Sequence, residues 1–290
     1  FKRGVSRLKK LGHVVELDVD ALSSHTRFAG DDGTRLAAIH RAAESGADVA
    51  LISRGGYGLT RILPDIKYKL VAKAIAKGTQ FVGLSDFTAF QNALLAQTGA
   101  VTWAGPALGE DFGAEQPDDI MEACFEDMLS GQGEGAGWRL SAACVKAQTK
   151  TDGVWARHAL LWGGNLTVLC SLLGTPFFPQ VKQGVLFLED VGEHPYRIER
   201  MLTQLLYAGI LAQQKAIVLG QFTQYKLTPH DQGFQMQSVV NWLRAHTKVP
   251  VLTDLPFGHV PTKVCLPVGQ RVSLLVENRD ALLLWAHGSH

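Results

Sequence analysis

No run of about 18 apolar residues occurs in the 290-residue chain, so no membrane-spanning helix is expected. An excess of either charge is also missing. The 28 Lys and Arg residues against 27 Asp and Glu leave a formal charge of +1, and nothing points to nucleic acid or an anionic membrane surface. Cysteine is scarce and scattered: Cys124, Cys144, Cys170 and Cys265 show no paired metal-ligand or redox spacing. They read as free thiols in a reducing, cytoplasmic compartment. There is no His-x-x-x-His and no paired carboxylate–histidine spacing, so neither a metal nor a cofactor is expected. The Gly-Lys-Ser/Thr ending of a phosphate-binding loop is absent as well. No internal repeat is visible.

Apolar residues make up 46% of the chain, enough for a substantial core. At roughly 100–200 residues per domain the length predicts two domains. Phe1–Leu11 reads as a helix, His13–Leu17 as a strand, and Asp31-Asp32-Gly33-Thr34 as the start of a helix ending near Ser45. An α/β domain normally opens on a strand, so one is expected ahead of Phe1. Short apolar strands at Val49–Ile52, Phe81–Val82 and Val101–Trp103 alternate with helices over 67–77, 86–97 and 118–129. That alternation predicts a parallel sheet with right-handed crossovers. Ser130–Gly137 is polar and glycine-rich and reads as a linker, which divides the chain into domains 1–135 and 136–290. Beyond it, strands are expected at Gly184–Asp190 and Ala216–Gly220. Helices are expected after Asn165, from Pro195 and over 234–246, and a hairpin over 272–285. The closing Gly288-Ser289-His290 reads either as a natural tail or as an added one.

Four stretches could carry chemistry. Gly83-Leu84-Ser85-Asp86 follows a buried strand and precedes a helix. This is half of a Gly-x-Ser-x-Gly nucleophile elbow, with Phe87 at the second glycine position. The competing reading is that Ser85 or Asp86 caps the helix. Arg54-Gly55-Gly56-Tyr57-Gly58 ends another buried strand, and its glycines free backbone N–H groups to face a ligand at the same sheet edge. A glycine amide there and the amide of Asp86 could together hold an oxyanion, and Arg54 could meet a carboxylate. Glu189 ends an apolar strand, with Asp190 and Glu193 as competitors. Strand alternation allows only one of Glu189 and Asp190 to face a given side. His259 lies in Pro256-Phe257-Gly258-His259-Val260-Pro261, the most constrained setting of the ten histidines.

Together with Gly163-Gly164-Asn165-Leu166 and Pro195-Tyr196-Arg197, these stretches resemble, in order, the LD-carboxypeptidase family. Its members are the muramoyltetrapeptide carboxypeptidases of bacterial peptidoglycan recycling. The resemblance covers nearly the whole chain and departs from the family in two places: its usual first strand is not seen before Phe1, and Leu84 stands where an aromatic residue is common. It implies a serine hydrolase with a Ser85–Glu189–His259 triad. The oxyanion would be held by the N–H groups of Asp86 and of Gly55 or Gly56. Arg54, Tyr57, Asn165 and Arg197 would contact a murein peptide substrate. It also implies an N-terminal parallel-sheet α/β domain similar to class I glutamine amidotransferases and a C-terminal mixed α/β domain. The site would lie in the crevice between them, in a homodimer. Two alternatives stand beside it: an immunity peptidase of the same family that cleaves a peptidyl-nucleotide antibiotic, for which Trp162 could pass as a nucleobase-stacking residue, and a non-catalytic peptide-binding protein. A glutamine amidotransferase is disfavoured, because its elbow needs cysteine where this chain has Ser85.

Overall fold

Short apolar segments separated by helices build the first sheet in this computed structural model, which describes residues 1–147 and 153–285. The tail at 288–290 lies outside the described residues. After α1 (Lys2–Lys10) and α2 (Asp32–Glu44) come β1 (Val49–Leu51), α3 (Tyr68–Ala76), β2 (Gln80–Gly83), α4 (Phe87–Thr98) and β3 (Thr102–Ala104). The three strands are parallel, in the order β1-β2-β3. Asp31 caps α2 as expected, its carboxylate accepting the Thr34 N–H at 2.7 Å.

The stretch His13–Leu17 forms no strand. It has no ladder partner, and an isolated strand gains nothing to offset its ordering cost. Val14 is left 93% exposed, while His13 turns away to meet Glu126 at 2.7 Å.

The second half builds a larger sheet. It comprises α5 (Asp119–Ser130), β4 (Gly135–Arg139), α6 (Ala142–Lys146), β5 (Gly153–Asn165), α7 (Leu166–Ser171), β6 (Val185–Val191), α8 (Pro195–Tyr207), β7 (Ala216–Thr223), α9 (Met236–His246), β8 (Val251–Leu252), β9 (Leu266–Val268), β10 (Arg271–Glu277) and β11 (Asp280–Leu284). Its strand order is β4-β11-β10-β5-β6-β7-β8, parallel from β5 to β8 and antiparallel on the other flank. The expected hairpin is β10–β11. The end of the glycine-rich stretch is not a free linker: Gly135–Arg139 is edge strand β4, paired with β11. Strand β9 returns to the first sheet and pairs antiparallel with β3, so that sheet is not purely parallel.

Helix α4 joins the two layers. Phe87 through Leu95 are all buried, as in a helix that is covered on every side. It packs against β3 and β9 on one side and β5 and α7 on the other. A helix held that firmly fixes the residue at its head, Ser85. Among the described residues, no helix is long and apolar enough to cross a membrane.

Candidate active site

The turn between β2 and α4 forces Ser85 to φ 64°, the left-handed region that an L-residue occupies at a cost of about 1–2 kcal/mol. Strain of this kind exposes a side chain at a sharp strand-to-helix bend. Gly55 sits directly against it. A Cβ at position 55 would lie 2.8 Å from Ser85 Cβ and 2.9 Å from Ser85 Oγ, so the close approach needs glycine. The N–H groups of Gly55, Gly56 and Asp86 donate to no acceptor among the described residues.

The Asp86 side chain does not cap α4. It reaches back, and Oδ2 accepts the Leu59 N–H at 2.9 Å, which ties the glycine turn to the elbow. Burial pushes its carboxyl pKa up, against the hydrogen bonds from Leu59 and Gly58 and the charge of Arg35.

Glu189 is wholly buried at the end of β6. Its Oε2 lies 2.9 Å from His259 Nδ1 and its Oε1 accepts from Asn165 Nδ2 at 3.1 Å. Burial alone would push the His259 pKa down. The hydrogen bond and charge of Glu189, helped by Glu110 and opposed by Lys263, raise it above the usual histidine value. The carboxylate fixes the proton on Nδ1 and leaves Nε2 free to accept. Among the described residues no hydrogen bond joins the Ser85 hydroxyl to His259.

Asp190 is buried as well: β6 is covered on both faces, with every residue from Val185 to Asp190 buried, so burial does not separate the two carboxylates. Asp190 is spoken for: it accepts from Thr167 N–H, Thr167 Oγ1, its own neighbour Val191 N–H and Asn165 Nδ2. Burial pushes its pKa up, and the neighbouring Glu189 adds to the rise. Glu193 faces Arg197 instead, at 2.6 Å.

Asn165 is the hinge of the arrangement. Its amide nitrogen bridges Glu189 and Asp190, while its Oδ1 accepts the Val168 N–H at 3.1 Å. Its backbone N–H donates to Thr88 Oγ1 at 2.9 Å. Thr88 stands one turn beyond Ser85, so a chain of contacts runs from the elbow to the Glu189–His259 pair. Gly164 permits it, since a Cβ there would lie 2.6 Å from Thr88 Oγ1. Asn92 Nδ2 holds the same strand end through the Gly163 carbonyl at 2.8 Å. Neither Thr88 nor Asn92 stands out in the sequence; both look like ordinary helix residues until β5 is laid against α4.

The remaining candidates lie further out. Arg54 is exposed, and its guanidinium donates to the carbonyl of Gly55. Tyr57 is 54% exposed, its ring 5.8 Å from that of Phe28 with Arg27 above it. Trp162 is fully buried, donates to Gln214 and packs edge-on to Phe178, so its ring has no free face for a nucleobase. A cavity of about 330 Å³ lined by Ala47, Asp48, Gly78 and Thr79 opens at the opposite, amino edge of β1 and β2 and has no part in this cluster.

Residues 1–105 match the model of the LD-carboxypeptidase N-terminal domain, and residues 158–274 that of the LD-carboxypeptidase C-terminal domain. A muramoyltetrapeptide carboxypeptidase from Oxalobacter formigenes superposes with a TM-score of 0.87 at 38% identity, covering 99% of this chain and 94% of that one. A probable murein peptide carboxypeptidase of Bacillus subtilis is 28% identical, over 95% of this chain and 84% of its own. The microcin C7 self-immunity protein of Escherichia coli is 24% identical, over 78% of this chain and 70% of its own.

Proposed function

The chain belongs to the LD-carboxypeptidase family of peptidases, and from that premise we propose that it is a serine carboxypeptidase acting on murein tetrapeptides. The bond cut joins the L-centre of a diamino acid to a terminal D-alanine, as in L-Ala-γ-D-Glu-meso-diaminopimelate-D-Ala. The observation that carries this reading is the buried Glu189–His259 pair, connected through Asn165 and Thr88 to a strained Ser85 with unpaired amides beside it.

In this reading His259 Nε2 takes the proton of Ser85, and Oγ attacks the carbonyl of the penultimate residue. Glu189 keeps Nδ1 protonated and stabilises the imidazolium. The N–H groups of Asp86 and of Gly55 or Gly56 receive the oxyanion. One such donor is typically worth about 2.7–4 kcal/mol of barrier. The imidazolium then protonates the D-alanine nitrogen as the C–N bond breaks. Water, deprotonated by the same imidazole, attacks the acyl-enzyme ester and frees the tripeptide. The terminal carboxylate goes to Arg54, whose guanidinium has no acidic partner among the described residues, rather than to Arg197, which already faces Glu193. The same reading takes the half before 135/136 as a unit similar to class I glutamine amidotransferases. It places the site in the crevice between the halves and the enzyme in the cytoplasm as a homodimer.

A second reading, an immunity peptidase using the same triad on a peptidyl-nucleotide, is favoured by the likeness to the microcin C7 self-immunity protein. The burial of Trp162 weighs against it. A substrate panel separates the two. Faster cleavage of the tetrapeptide supports the carboxypeptidase; faster cleavage of an aminoacyl-sulfamoyl adenylate overturns it.

A further inference from the structure

Lys263 and Asp111 form an ion pair at 2.6 Å with side chains only 2% and 4% exposed. Nothing in the proposed chemistry uses it. A buried pair is weak evidence for stability, because apolar residues of similar size often serve as well or better, while a role in fixing register is better attested. Its position supplies such a role. Asp111 lies in a π-helical turn, Leu108–Phe112, with its other oxygen accepting the Ala107 N–H at 2.7 Å. That turn is anchored to the strand end just ahead of Arg54-Gly55-Gly56: the N–H groups of Leu108 and Gly109 donate to the carbonyls of Ile52 and Ser53 at 3.0 and 2.8 Å. Lys263 comes four residues after His259. Beside it, Thr262 Oγ1 donates to Asp118 at 2.6 Å, and Cys265 enters the core with Val82, Leu108 and Phe112.

We propose that Lys263 and Asp111 are positioning residues whose buried ion pair pins the His259 loop to the base of the Gly55–Gly56 turn. The pin sets the imidazole and the oxyanion donors in one frame, although Glu189 arrives from the other sheet. This rests on the triad reading above. Three charges act on His259: Glu189 from β6, Glu110 from the π turn and Lys263 from its own loop. Asp111 neutralises the last. Losing Lys263 alone therefore raises the His259 titration, and losing Asp111 alone exposes the lysine's charge and lowers it.

The test compares Lys263→Met, Asp111→Asn, Lys263→Arg and the double Lys263→Met/Asp111→Asn, which buries no unpaired charge. The double variant folds, its kcat on the tetrapeptide falls about a hundredfold with KM little changed, and its His259 Nδ1–H exchanges faster with water. Lys263→Arg recovers part of kcat. NMR titration of His259, assigned by its loss in His259→Gln, moves up in Lys263→Met, down in Asp111→Asn and back towards wild type in the double variant. Where a single variant does not fold, the double variant decides alone. Wild-type kcat and Nδ1–H exchange in the double variant, single-variant shifts of the same sign, or a double variant that fails to fold would each overturn the pin. The NMR readouts need no turnover. A wild-type protein inert on tetrapeptide would therefore refute the proposed function and still leave the pin decided.

Discussion

Replacing Glu189 with glutamine removes one charge and no atoms, and the surrounding hydrogen bonds dictate how the new amide sits. Asn165 Nδ2 donates to the Oε1 position, and that amide cannot flip, because its oxygen accepts from Val168 N–H while its nitrogen also serves Asp190. In Glu189→Gln the new carbonyl oxygen must therefore take the Oε1 place, and the new NH2 faces His259 Nδ1. A donor there forces Nδ1 to accept and puts the proton on Nε2, the nitrogen that should receive the proton of Ser85. A wrong-tautomer lesion of this kind drops kcat by about 10⁴, or about 5.5 kcal/mol of barrier. The assay is kcat for D-alanine release, together with the ¹⁵N spectrum of the His259 ring. Unfolding should change little, since shape and packing are kept. A Glu189→Gln enzyme within tenfold of wild type, or one that keeps the proton on Nδ1, would refute the reasoning. Asn165→Leu added to Glu189→Gln frees the glutamine to turn over and should restore part of the rate.

The raised His259 pKa predicts that the acid limb of kcat/KM lies above the ordinary histidine value of about 6.5, because the base works only when neutral. Removing the Glu189 charge moves that limb down in pH; a pH–rate profile of both enzymes reads the direction. Gly55→Ala places a methyl against Ser85 and should lower kcat by about 10²–10³ through the displaced oxyanion donors. The accompanying loss of stability disappears when the same change is made in Ser85→Gly, where nothing remains to clash; denaturant melts of the four proteins close the cycle. At φ 64° a glycine relieves the elbow, so Ser85→Gly should be about 1 kcal/mol more stable than Ser85→Ala in the same melts, although both lack the hydroxyl.

Ser85, Gly55 and Gly56 are legible in the chain because local rules place them: an apolar strand, a glycine-led turn and a helix always put such residues at one sheet edge. Glu189 and His259 are visible as a strand end and a stiffened loop, yet alternation leaves Asp190 as an equal competitor. The choice between them depends on which carboxylate meets the His259 loop and on β5 lying beside β6, which brings Asn165 opposite Glu189. Strand pairing across dozens of residues leaves no local mark. Asn165, expected to contact substrate, has its side-chain nitrogen and oxygen engaged by protein groups for the same reason. Lys263 in a Pro-Thr-Lys loop reads as a solvated lysine, and only the return of β9 to the first sheet buries it. The strand expected at His13–Leu17 fails in the opposite way, with a good local pattern and no partner to pair with.

The central claim is that Ser85 carries the acyl group of a murein peptide. It is tested most directly by incubating wild type and Ser85→Ala with a defined tetrapeptide and measuring products by mass spectrometry. Wild type should release D-alanine and a tripeptide, and the folded Ser85→Ala variant should release neither. Unchanged D-alanine release by the variant, or cleavage at another bond by wild type, would contradict the account.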